Sequence, residues 1–182
     1  MPPDEKSAIA GAAETNSTQQ HYPRTGIGYD SHRFAAGGPL LLGGVSVPSD
    51  VHLVGHSDGD AIAHALTDAI LGACGEGDIG TLFPDTDPAN ADRDSIEMLK
   101  VAVGRAAGRG FTIVNEDVTV IAEKPRLAPY RDAIVAVLEL ATGGAVSVKG
   151  KTNEGMGWIG RGEGLACIAV ATLVPSEERT VA

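Results

Sequence analysis

Apolar residues alternate with polar ones in some stretches of this chain and recur every three to four positions in others. The switch between the two periods marks its elements. Residues 24–34, RTGIGYDSHRF, and 39–48, PLLLGGVSVP, read as two strands joined by the turn AAGG at 35–38. Over 56–78, Ile62, Leu66, Ile70 and Ala73 form one apolar stripe at helical spacing. Ser57 is the expected N-cap of that helix. Asp58 and Asp60 fall in its first turn, where carboxylates suit the helix dipole, and Gly75 and Gly77 mark its end. Residues 81–94 form a long polar loop. A second helix spans 94–110, capped by Asp94 or Ser95 and closed by Gly108 or Gly110. A long strand follows at 111–123, then a loop at 124–129 and a third helix at 129–142. The last strands, 145–152 and 165–174, flank the glycine-rich segment 153–164. The order ββ-α-α-β-α-β-β predicts an α+β domain, with helices packed on one face of a mainly antiparallel or mixed sheet. Residues 1–23 have no apolar period and are rich in Ser, Thr, Gln, Ala and Pro, so a disordered leader is expected there. The domain is expected over 24–175, with a short tail at 176–182.

Composition narrows the function classes. A chain of 182 residues suits one domain with a substantial core. A formal net charge of −10 argues against a general nucleic-acid binder and against a polybasic membrane surface. A small anionic ligand stays possible if local cations or helix N-termini offset the charge. No apolar run reaches the length of a membrane span, and the N-terminus lacks the basic-then-apolar pattern of a secretory signal. Cys74 and Cys167 lie far apart in apolar segments. They read as buried thiols of a reducing compartment, so a cytoplasmic protein is expected.

The candidate chemistry starts at GYDSHRF, residues 28–34. On a strand, Asp30 and His32 point to the same side, so a carboxylate and an imidazole can meet one metal ion. A salt bridge or a solvated strand end accounts for the pair equally. Asp60, His64 and Asp68 share a helical stripe, which reads either as a solvated face or as a buried ligand with carboxylate partners. His64 stands between Ala63 and Ala65 on a mostly apolar helix, and this favours the ligand reading. Asp60 or Asp68 is then the expected partner of its second ring nitrogen. Asp30, His32 and His64 together would leave a fourth tetrahedral position open, as catalytic zinc sites do. His56 and Ser57 precede a helix N-terminus that could receive a phosphate, although simple capping explains them as well. GMGWIG at 155–160 fits G-x-G-x-x-G, but a strand and not a long helix follows it. GKT at 150–152 lacks the upstream glycine of a P-loop, because Ala145 stands there. What remains is a stretch with Lys149, Lys151, Thr152 and Glu154, fit either to wrap a phosphate or to serve as a plain connection. Arg161 and Glu163 form a surface pair or a set repeated about a symmetry axis.

Taken together, GYDSHRF, HSDGDAIAHALTDAILGACGEGDIGTLFPDTDP, DVTVIAEKPRL and KTNEGMGWIGRGEG resemble, in order, the signatures of the 2-C-methyl-D-erythritol 2,4-cyclodiphosphate synthase family. The resemblance covers about residues 25–174. It implies an intramolecular phosphoryl transfer in the non-mevalonate isoprenoid pathway. The 2-phosphate of 4-diphosphocytidyl-2-C-methyl-D-erythritol 2-phosphate attacks the β-phosphorus of its own diphosphate, and CMP leaves. It implies zinc on Asp30, His32 and His64, and a magnesium or manganese ion on Glu154. It implies that His56 and Ser57 contact the phosphate end and that Asp78 holds the methylerythritol hydroxyls. Thr152, beside Lys151, then contacts the diphosphate. The loop Ala122–Ala128, with Pro125, Arg126 and Leu127, reads cytosine through its backbone. The family is a homotrimer with sheets around a central axis and active sites between subunits. Trp158, Arg161 and Glu163 match a central cavity that binds an isoprenoid diphosphate in some members. Lys151 stands where many members have Thr, and Trp158 where several have Phe. A metal-dependent phosphohydrolase and a non-catalytic zinc protein are the alternative functions.

Overall fold

The fold is described from a computed structural model over residues 22–176. The leader expected over 1–23 lies outside these residues except for Tyr22 and Pro23, and so does the tail except for Ser176. Strand β1, Arg24–Ala36, is long and alternates from Arg24 to Phe34. One face carries Ile27 and Tyr29, which are 71% and 56% exposed. The other carries Gly26, Gly28, Asp30 and His32. The stretch expected as a single second strand is a small hairpin, β2 (Leu40–Leu42) with β3 (Val45–Val47). Gly43 and Gly44 both take positive φ at its turn, which forbids a continuous strand. A further strand, β4 (Val51–Val54), pairs with the end of β1 and was not expected.

Helix α1, Ala61–Cys74, carries the expected apolar stripe, and it ends at Gly75 in the left-handed region. Its N-cap is Asp60, not Ser57. The fully buried Asp60 carboxylate accepts from the N–H groups of Ile62 and Ala63 at 3.1 and 3.2 Å, and from those of Gly43 and Gly44 at 2.8 and 2.6 Å. One side chain thus caps the helix and grips the hairpin turn. The polar loop contains a one-turn helix, α2 (Ile79–Leu82), and a 3₁₀ turn at Pro88–Asn90. Helix α3, Ser95–Gly108, is capped by Asp94. Strand β5 (Phe111–Ile121), helix α4 (Arg131–Thr142) and strand β6 (Ala145–Lys151) form a crossover, so β5 and β6 pair in parallel. The glycine-rich segment holds a single turn, α5 (Gly157–Gly160), before β7 (Gly164–Pro175).

The mixed five-stranded sheet runs β4-β1-β7-β5-β6, with every pair but β5/β6 antiparallel. Helix α1 lies on β1 and β7, α3 lies against α1 and β5, and α4 covers β6. All three sit on one face, giving the α+β arrangement expected. Leu66, Ile70, Leu99, Ile134, Leu138, Leu165 and Leu173 fill the layer between them.

A bulge at Val114 resets the alternation of β5. Phe111 and Ile113 face the core before it, and Glu116, Val118 and Val120 after it. Glu116 is therefore fully buried. Its Oε2 accepts from Thr142 Oγ1 at 2.5 Å, and its Oε1 has no partner among the described residues. Burial pushes this carboxyl up from 4.5 to about 7, and the Thr142 bond offsets only part of that. In the unfolded chain the group loses its proton near 4.5, so between there and about 7 the folded state holds more protons. Stability must fall as pH rises through this window, by roughly 3 kcal/mol for a shift of this size. Glu116→Gln should remove that fall, so urea midpoints of the two proteins should diverge from pH 5 upward in favour of the variant. A gap that does not change with pH would contradict the assignment.

Candidate active site

Glycine brings the site together. A Cβ on Gly28 would lie 1.9 Å from the Ala65 carbonyl oxygen, and one on Gly26 would lie 2.0 Å from that of Ala69. Only glycine lets α1 rest this close on β1. His64, one residue before Ala65 on α1, then meets Asp30 and His32 two and four residues along the strand from Gly28.

Asp30 Oδ2 lies 2.8 Å from His32 Nε2 and 3.1 Å from His64 Nδ1, and the two ring nitrogens are 3.1 Å apart. His32 Nδ1 donates to the Val54 carbonyl at 2.7 Å, which leaves a lone pair on Nε2 of the neutral ring. Asp30 Oδ1 accepts from the Ser31 N–H at 2.8 Å, so Oδ2 faces the histidines. Acceptor atoms converge here and repel unless a cation or a proton stands between them. Burial would raise the Asp30 carboxyl, but hydrogen bonds and charge from His32 and His64 outweigh it and hold the group well below the usual carboxylate range. Burial would lower His32, yet its hydrogen bond to Asp30 and the charge there raise it. The contacts suit an ion as well as a proton. A tetrahedral zinc with bonds of 2.0–2.1 Å has ligand–ligand edges of about 3.3 Å. Among the described residues no fourth His, Cys, Asp or Glu joins the cluster, so such an ion would keep an open position.

Neither carboxylate expected to partner His64 does so. Asp60 is engaged as the helix cap, and Asp68 accepts from the Ile79 N–H at 2.7 Å. His64 Nε2 meets two hydroxyls instead, Ser57 Oγ at 2.9 Å and Ser95 Oγ at 2.8 Å. In the sequence Ser95 is recognisable only as a capping candidate. No local pattern links it to a histidine thirty-one residues away.

The three ligand candidates open into a cavity of about 320 Å³ that His56, Ser57, Ile79, Gly80, Phe83 and Asp85 also line. Asp78 stands next to this wall. Its exposed carboxylate caps α2, and the hydrogen bond from Thr81 holds it below the usual range. A second cavity, about 230 Å³, gathers Ala122, Pro125, Arg126, Leu127, Ala128, Lys151 and Thr152. Thr152 Oγ1 donates to Glu154 Oε1 at 2.7 Å, and Glu154 takes a positive φ of 51°. The two cavities share no lining residue. Asp30, Cys167, Val120 and Gly150 stand in register across the sheet. Three strand spacings of 4.7–4.9 Å therefore put about 14 Å between the two sites, with buried Cys167 and Val120 in the row between. Arg161 and Glu163 form an exposed ion pair at 2.7 Å. Arg161 borders a third hollow, while Trp158 stands 36% exposed on α5.

Comparison with known proteins identifies the family. A model of the YgbB family matches residues 23–174. The 2-C-methyl-D-erythritol 2,4-cyclodiphosphate synthase of Gemmatimonas aurantiaca is 57% identical over 154 residues, covering 83% of this chain and 93% of the relative. A solved 2C-methyl-D-erythritol-2,4-cyclodiphosphate synthase with CDP bound superposes with a TM-score of 0.76 at 39% identity, over 82% of this chain and 99% of that one. The bifunctional IspDF of Campylobacter jejuni gives a TM-score of 0.82 at 41% identity over 85% of this chain. The chain spans only 42% of that longer protein.

The triad makes a direct prediction. His32→Ala and His64→Ala should each lose bound zinc, measured per subunit by elemental analysis, while the helical circular dichroism signal is retained. Full zinc content in both purified variants would remove these residues from metal binding.

Proposed function

The chain belongs to the YgbB family, that of the 2-C-methyl-D-erythritol 2,4-cyclodiphosphate synthases, and from that premise we propose how its residues carry the reaction. The protein is a 2-C-methyl-D-erythritol 2,4-cyclodiphosphate synthase of the non-mevalonate isoprenoid pathway. It converts 4-diphosphocytidyl-2-C-methyl-D-erythritol 2-phosphate to the cyclic diphosphate and CMP. An oxygen of the 2-phosphate forms a bond to the β-phosphorus, and the bond from that phosphorus to the CMP oxygen breaks. Positioning and charge neutralisation are the main catalytic levers for such a transfer.

Asp30, His32 and His64 would hold zinc. When bound, the ion polarises a phosphate oxygen and offsets charge at the reacting phosphorus. His56 and Ser57 bind the phosphate end in the same cavity, and Asp78 beside it accepts from the methylerythritol hydroxyls. The backbone of Ala122–Ala128 reads cytosine in the second cavity, where Pro125, Arg126 and Leu127 shape the wall. The CDP-bound synthase supports a cytidyl nucleotide as the ligand. Lys151 brings an ammonium and Thr152 a hydroxyl to the diphosphate. Glu154, bonded to Thr152, would hold a magnesium or manganese ion that adds positive charge at the same place. The observation that carries the reading is the converging triad with an open side on a chain of this family.

A homotrimer completes the site. On one chain the two cavities are separate, so a ligand that engages both kinds of residue draws them from neighbouring subunits. The sheet face opposite the helices supports this, because it leaves Ile27 and Tyr29 uncovered. Trp158, Arg161 and Glu163 would line the axis and offer a place for an isoprenoid diphosphate. The synthase domain is taken as residues 24–175, with the leader and tail outside it. The family match over 23–174 supports these bounds. Among the described residues no helix is long and apolar enough to cross a membrane. Buried, unpaired Cys74 and Cys167 suit a reducing cytoplasm.

Phosphorus NMR of the purified protein with the cytidyl substrate should show CMP and a cyclic diphosphate. A linear product would favour a metal-dependent phosphohydrolase, and no turnover a non-catalytic zinc protein. Glu154→Gln should slow CMP release far more than it weakens CMP binding, and should blunt the dependence on added magnesium while zinc stays bound. Identical magnesium titrations in the two proteins would exclude Glu154 from this role. Light scattering should give three subunits at micromolar concentration, and an active monomer would contradict the trimer.

A further inference from the structure

Ser95 is fully buried at the first residue of α3, and Asp58 lies on the loop that leads into α1. The two are clamped together across thirty-seven residues of sequence. The Ser95 N–H donates to Asp58 Oδ2 at 2.9 Å, and the Ser95 hydroxyl donates to Asp58 Oδ1. A carboxylate only accepts, so the single hydroxyl proton of Ser95 is committed to Asp58. Ser95 Oγ therefore presents a lone pair to His64 Nε2, 2.8 Å away. That contact requires the ring proton on Nε2. A neutral imidazole protonated there carries its lone pair on Nδ1, and Nδ1 is the atom that faces Asp30 and His32.

We propose that Ser95, held by Asp58, is the positioning residue for His64: it fixes the tautomer and ring orientation in which Nδ1 binds metal. The inference rests on the reading of Asp30, His32 and His64 as a zinc site. Ser57 also reaches Nε2, at 2.9 Å, but among the described residues its hydroxyl is bound to no carboxylate and can either donate or accept. Were Ser57 to donate, Ser95 would face the ring lone pair to lone pair at 2.8 Å. Ser95 decides the tautomer and Ser57 follows it. His32 has the equivalent arrangement in its bond to the Val54 carbonyl, so both imidazoles have their second nitrogen tied to a group that leaves one choice. The Ser95 link also joins the N-terminus of α3 to the candidate metal site.

The test measures zinc affinity of the full chain by competition with a chromophoric chelator, without substrate. Losing a partner of this kind weakens metal binding on the order of 10–100-fold, which is the effect expected for Ser95→Ala and for Asp58→Asn, while Ser57→Ala should stay within about threefold. Ser95→Thr keeps the hydroxyl and should restore most of the affinity. Two-bond ¹H–¹⁵N spectra of histidine-labelled protein should show the Nε2–H tautomer at His64 in the unmodified protein and a mixture in Ser95→Ala. A purely packing role would not move that signature. Should Ser95→Ala fold poorly, Asp58→Asn, which preserves size, carries both measurements. Zinc held as tightly by Ser95→Ala as by the unmodified protein overturns the proposal, as does a loss confined to Ser57→Ala. Absence of zinc binding by the unmodified protein would instead remove the triad reading itself.

Discussion

The contact of α1 with β1 is the constraint on which the site depends. Gly26 and Gly28 take up no room on the helix-facing side of the strand, and Ala65 and Ala69 take up little on the helix. The backbones therefore approach far more closely than side chains would otherwise allow. The apolar stripe of Ile62, Leu66 and Ile70 is fully buried. Each such side chain contributes about 1.5–3 kcal/mol on burial, enough to press helix and sheet together. At that separation His64 meets Asp30 and His32 without reaching. A methyl group at Gly28 would push α1 away and separate the ligand candidates before it touched any of them.

Carboxylates organise the start of that helix. Asp60 holds the hairpin turn and the α1 N-terminus, Asp58 holds the start of α3, and Asp68 holds the N-terminus of α2. Each accepts backbone N–H groups that would otherwise lack partners. The elements around the candidate metal cavity are thus tied to one another by short polar side chains and not by packing alone. This has a consequence for charge. A protein of formal charge −10 that handles a multiply anionic substrate cannot attract it at long range. Several of its acidic groups are turned inward onto backbone donors, and the acceptors of Asp30, His32 and His64 converge where a cation could sit.

Much of this architecture is legible in the sequence because it rests on local rules. The period of α1, the same-side pair Asp30 and His32, the unusual setting of His64 between alanines, the α+β order and the family signatures are all properties of neighbouring residues. The loops around Asp78 and Ala122–Ala128 were located by their motifs. Residues 39–48 read as one strand but fold as a hairpin, because two adjacent glycines inside an apolar run fit either a weak strand or a turn. The strand Val51–Val54 is too short to carry a period of its own.

Other features were settled only when distant segments met. Ser57 and Asp60 are equally good caps by type; Asp60 takes the role because the hairpin glycines arrive to complete its carboxylate. Asp60 and Asp68 looked like partners of His64, yet a helical stripe fixes only which side chains share a face, and backbone donors from other elements claimed both. Ser95 became the partner because α3 packs beside α1. Glu116 is buried because one bulged residue reversed the alternation of its strand. Sequence determined the local periods and the chemistry available at each position. Tertiary packing decided which of those groups share hydrogen bonds, because that depends on distances between elements, which no local pattern encodes.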